Sequence, residues 1–101
     1  MTLRELIEQV GDLFDDATIF AERIDGSFMP QSKAASIVIP EPLTTKPIRG
    51  VAAELAPGLE YFLEVFVAQE VLEDWIENHG GARPSIDQAL ERIIYYAEND
   101  A

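Results

Sequence analysis

The chain has 101 residues, enough for one domain, 1–101, with its own core, and its 48 % apolar fraction is too high for a disordered segment. The absence of cysteine removes disulfides, thiolate nucleophiles and cysteine metal sites. Nineteen acidic residues stand against seven basic ones, for a formal net charge of −12, and such a field repels phosphate backbones and anionic lipid, so neither nucleic acid nor a membrane is expected as a partner.

The chain starts as an amphipathic helix. Thr2 and Glu5 fit a capping box, and Leu3, Leu6, Ile7, Val10 and Phe14 recur on one helical face until Asp15-Asp16 ends it. No basic leader precedes an apolar core there, and no apolar run approaches the ~20 residues a bilayer requires, so a soluble, cytoplasmic protein is expected. Residues 17–24, "ATIFAERI", switch to a period of two and read as a strand, with Ile19 and Ala21 opposite Thr18, Phe20 and Glu22. Asp25-Gly26 then signals a turn, and "KAASIVIP" (33–40) is a second strand stopped by Pro40, so the two pair as a hairpin. Prolines at 40, 42 and 47 mark 40–50 as a mobile loop, and "VAAELAPG" after it has room for a helical turn before Pro57-Gly58.

Residues 59–78 resist description as one helix. At about 100° per residue, Leu59, Phe62, Leu63, Phe66 and Val67 fall on one side, while Val71, Leu72, Trp75 and Ile76 fall on nearly the opposite side. Splitting the segment restores order: 59–67 alternates as a strand rich in aromatic and β-branched residues, and 68–79 is an amphipathic helix built from helix formers. "HGG" at 79–81 stops that helix. Ser85, completed by Gln88, caps a last one whose Ile86, Leu90, Ile93, Ile94 and Ala97 share a face. The expected fold is α+β, in the order α-β-β-β-α-α, with a small antiparallel sheet and helices packed on one face.

Chemistry-bearing constellations are few. Glu70, Glu73, Asp74 and Glu77 form an exposed stripe at i, i+3, i+4 and i+7 that folding does not need, because like charges so spaced cost about 0.2–0.5 kcal/mol per pair in an isolated helix. A solvated face is the plain reading; a docking surface for Lys and Arg of a partner is the sharper one. Asp12, Asp15 and Asp16 lack the glycine turn and ligand spacing of a calcium loop. His79, the single histidine, stands where a helix C-terminus favours its charged form, and alone it makes neither a zinc site nor a serine triad. Glu60 and Glu64 share a strand face with Phe62 and Phe66, which suits a half-covered sheet face better than acid–base work. Phe28 and Met29, in a turn-rich connection, either tuck into the core or present an anchor to another chain. Tyr95 suits an interface or rim, Tyr96 lies at the edge of the apolar stripe, and Lys46 and Arg49 are suited to bridge to the acidic half.

"LEYFLEVFVAQEVLEDW" followed by a glycine break and "RPSIDQALERIIYYAENDA" resembles a family of small acidic bacterial proteins of unknown function. The resemblance covers roughly residues 58–101. Such relatives often carry a polar residue at the strand–helix junction, where this chain has Phe66-Val67-Ala68. It implies no activity and assigns no residue a role. Residues 51–101 hold 11 acids and 2 bases against 8 and 5 in 1–50, so acidity concentrates in the C-terminal half. The expected function is a non-enzymatic protein-binding module, immunity- or antitoxin-like, engaging a basic partner through Glu70, Glu73, Asp74, Glu77, Phe28 and Met29. A self-associating homodimer is the alternative, and a carboxylate-based metal-dependent enzyme a remote one. No catalytic residue, metal or cofactor is expected.

Overall fold

The structure, a computed structural model, describes residues 1–99; Asp100 and Ala101 lie outside it. Four helices, α1 (Leu3–Glu8), α2 (Ile48–Leu55), α3 (Val65–Asn78) and α4 (Ile86–Asn99), accompany three strands, β1 (Thr18–Ala21), β2 (Ala34–Ile37) and β3 (Glu60–Glu64). The sheet is antiparallel with β1 in the middle, in the order β2-β1-β3. The α+β class and the β1–β2 hairpin are as the sequence predicts. Ile24 and Ser27 bridge around a two-residue turn in which Asp25 and Gly26 both take positive φ, the conformation that Asp-Gly favours in tight hairpins.

Local chemistry sets both ends of the chain. Thr2 and Glu5 form the reciprocal capping box of α1. The remaining orphan donors of its first turn, Leu3 N–H and Arg4 N–H, give to the carbonyls of Ser32 and Pro30, which ties the helix to the hairpin connection. Ser85 and Gln88 cap α4 in the same manner. α1 is shorter than its apolar spacing suggests. It ends at Glu8 and tightens into a 3-10 turn at Val10–Asp12, so Phe14 leaves the buried face and is 77 % exposed.

The proline-rich stretch also departs from expectation. A 3-10 turn occupies Glu41–Leu43, and α2 starts directly after Pro47. At the cap position a proline forfeits no helical hydrogen bond, so it opens the helix instead of breaking the chain. α1, α3 and α4 pack on one sheet face, over Ile19, Ala21 and Leu63. α2, which the sequence leaves as one helical turn, lies over the other and sets Val51, Ala52 and Ala56 against Phe20 in a second, smaller core. All four residues of β1 are therefore buried.

The strand–helix split of the 59–78 segment is correct, with an earlier boundary. β3 ends at Glu64 and α3 begins at Val65 without a loop. Val65 N–H donates to Ala17 O, one last ladder bond, before its own carbonyl turns into the helix. Inside β3 the register slips: Ile19 faces Leu63 and Phe20 faces Tyr61, which leaves Phe62 as a bulge. Phe62 and Leu63 both enter the larger core as a result, and strict alternation fails at this point.

Truncating Phe20, fully buried between the sheet and α2, is expected to cost about 3–5 kcal/mol, as large aromatic core truncations do. Phe14→Ala should stay within about 0.5 kcal/mol of wild type. Urea unfolding of the two variants checks both values.

Candidate acidic docking face

α3 carries the features that bear on function. Its buried side, Val65, Ala68 and Val71, packs into the core, and Gln69 donates its side-chain amide to Val10 O at 3.0 Å, which braces the helix against the turn after α1. The opposite side holds Glu70, Glu73, Asp74 and Glu77, all exposed. None of the four takes part in an ion pair among the described residues.

Three of the seven cations are already engaged elsewhere. Arg4 pairs with Glu8 and with Asp87 of α4, and Lys46 pairs with Glu54 of the C-terminal half at 3.0 Å, while Arg49 forms no ion pair among the described residues. Arg23 contacts Glu98 of α4 at 2.6 Å and Glu60 of β3 at 3.4 Å, and its guanidinium lies 4.1 Å above the Phe28 ring. Three of the scarce cations thus tie elements together, and among the described residues none forms an ion pair with the α3 stripe.

A residue the sequence reading placed in the strand joins this stripe. Because α3 starts at Val65, Phe66 precedes Glu70, Glu73 and Glu77 by four, seven and eleven residues and shares their face, 46 % exposed. Extending the helical spacing back one turn from Glu70 would have found it. An exposed aromatic ring is the kind of apolar anchor an interface buries, and carboxylates beside it suit the polar rim.

The hairpin connection contributes less than its sequence suggests. Phe28 is buried, edge-on to Phe62 with ring centres 4.9 Å apart and capped by Arg23, so it is a core residue and not an anchor for another chain. Met29 beside it is 36 % exposed, and its N–H donates to the buried Ser32 hydroxyl. The anchoring is thermodynamic: a phenyl ring stacked under a guanidinium and against another ring gains more inside than at the surface.

The shared strand face expected for Glu60 and Glu64 is removed by the bulge. Glu60 lies opposite Ala21 and Glu64 opposite Thr18, positions on different sheet faces. Glu60 is held by Arg23, and Glu64 accepts a hydrogen bond from the Tyr61 hydroxyl. Burial, and then that bond to a carboxylate, push the Tyr61 phenol well above its ordinary value of 10.0.

His79 ends α3 as a capping residue. Its Nδ1 lies 2.7 Å from Trp75 O, and since a carbonyl only accepts, that nitrogen carries the hydrogen. The imidazole stacks on the Trp75 ring at 3.6 Å between centres, and Gly80 and Gly81 complete the stop with positive φ. Asp12, Asp15 and Asp16 are exposed, and among the described residues no three His, Asp or Glu side chains gather as a metal-ligand set. No described helix is long and apolar enough to cross a membrane.

No family model, curated protein or solved structure matches this chain. Every role considered for the face therefore rests on its own geometry.

Tyr61 offers a check on the strand end. With the folded phenol raised above 10.0, its contribution is fully present below pH 10 and is lost as pH climbs from there, because the unfolded tyrosine ionises first. Tyr61→Phe should lower stability by about 1 kcal/mol at pH 8, the typical worth of such a bond. Its denaturation midpoint should also fall less steeply than that of wild type above pH 10. Chemical denaturation across pH 8–11 reads both effects.

Proposed function

We propose that this chain is a cytoplasmic, non-enzymatic protein-binding module, of the kind found among immunity proteins and antitoxins, that engages a basic partner through the exposed face of α3. The observation that carries the proposal is the unpaired row Glu70, Glu73, Asp74 and Glu77 with Phe66 exposed at its head. Four carboxylates at helical spacing repel one another, so the free protein gains nothing from them; a partner bearing Lys and Arg relieves that repulsion on binding. The net charge of −12 adds long-range attraction, which speeds encounter with a cationic surface and weakens as salt rises.

Homodimerisation is the second reading, favoured by one observation. Tyr95 is 55 % exposed and, with Trp75, walls a shallow groove between α3 and α4 that also includes Gln88, Glu91 and Arg92. Aromatic residues in such a position suit an interface between copies. Light scattering that shows a monomer at high micromolar concentration removes this reading.

Capture from a lysate of the cells that carry the gene, at low and moderate salt, tests the first. A salt-sensitive partner held by wild type and lost by the variant Glu70→Gln, Glu73→Gln, Asp74→Asn, Glu77→Gln is the expected result; no salt-sensitive partner at all counts against the proposal. The same variant should be slightly more stable than wild type, by about 0.2–0.5 kcal/mol for each like-charge pair removed. Thermal unfolding would register that gain, which separates lost binding from lost folding.

A further inference from the structure

Beside the acidic row, α3 borders a groove of about 680 Å³ whose other walls are the turn after α1 and the start of α4. Its floor is apolar, with Leu72 and Ile76 of α3 and Ile86 of α4 half-buried along it. Glu8, Asp12 and Glu73 line its rim against one cation, Arg83, and Glu8 is partly occupied by Arg4 at 3.4 Å. Glu73 belongs both to this rim and to the acidic row, so the groove and the row form one continuous surface.

From this geometry we infer that the groove seats the apolar side of a cationic amphipathic helix contributed by the partner, an inference that rests on the acidic-face reading above. Three features select that occupant. A volume of this size, within the range of about 300–1,000 Å³ that holds organic ligands, takes several side chains where a single ion would not fill it. The walls come from α3, the start of α4 and the turn after α1, and no strand residue lines the groove, so it offers no strand edge to an extended peptide. A bound segment must therefore satisfy its own backbone, as a helix does. The rim carboxylates call for Lys or Arg flanking the apolar stripe, and a second copy of this chain, at −12, would bring like charge against like. The Gln69 bond to Val10 O fixes α3 against the turn, so the groove is formed before the ligand arrives.

Fluorescence anisotropy tests this with two synthetic peptides of about 14 residues, roughly four helical turns, made from the same leucines and lysines. One has the leucines at 3–4 spacing; the other is scrambled to abolish the apolar stripe. The amphipathic peptide is expected to bind about tenfold or more tightly than the scrambled one. Asp12→Lys, an exposed substitution that spares the core, and Ile76→Lys should each weaken the amphipathic peptide by about tenfold, with circular dichroism confirming that both variants fold. Amide shifts confined to Leu72, Ile76, Ile86 and their neighbours would support the same seat. Equal binding of the two peptides, insensitive to Asp12→Lys and Ile76→Lys but reduced by Glu70→Gln, Asp74→Asn, Glu77→Gln, overturns the groove and leaves the acidic face standing. Binding of neither peptide, with salt-sensitive capture of a partner intact, also overturns the groove alone. Absence of any salt-sensitive partner for the wild-type protein is the separate result on which the acidic-face reading falls.

Discussion

β1 is four residues long and buried on both sides, and the remaining elements take their positions from it. Its backbone pairs with β2 along one edge and β3 along the other. Ile19 and Ala21 point into the core shared by α1, α3 and α4, and Phe20 points into the pocket closed by α2. A central strand of this kind has no solvent-facing side on which to relax. Both flanking strands must therefore meet it in register, and the slip at Phe62 is the one departure, which delivers a second aromatic ring to the larger core.

The direct passage from β3 into α3 follows from the same constraint. Val65 N–H still pairs with Ala17 O, while its side chain already occupies the first buried position of the helix. With no loop to absorb rotation, the strand dictates the angular setting of α3. That setting turns Phe66 and the acidic residues outward together and places Leu72 and Ile76 beside the start of α4. The candidate interaction surface is thus a consequence of how the sheet ends.

Charge is distributed to match. Arg23 sits where β3, α4 and the hairpin connection converge and is bound on several sides, by Glu60, Glu98, the Gly26 carbonyl and the Phe28 ring. Exposed ion pairs contribute little singly, but a cation shared among several partners also fixes geometry, and here it closes Phe28 into the core. Acids that hold elements together have partners. Among the described residues Glu70, Glu73, Asp74 and Glu77 of α3 have no ion-pair partner, and that difference separates structural carboxylates from those available to another molecule.

The sequence by itself determined what depends on near neighbours along the chain. Both capping boxes, the Asp25-Gly26 turn, the change of period within 59–78 and the exposed stripe from Glu70 to Glu77 are set by residues a few positions apart, so local pattern specifies them, and the β1–β2 hairpin follows from two such strand patterns either side of that turn. Tertiary structure decided the rest. Pro47 opens α2 because that helix has Phe20 to cover, and a propensity argument sees only a breaker. Val65 and Val67 favour a strand, yet Val65 is buried in the larger core and Val67 packs against it as parts of a helix. Phe14 leaves its face because α1 tightens after Glu8, and Phe28 is buried because Phe62 and Arg23 meet it from distant parts of the chain. For Pro47, Val65, Val67 and Phe28 burial against distant parts of the chain outweighs the local preference, which for the two valines is at most about 1 kcal/mol.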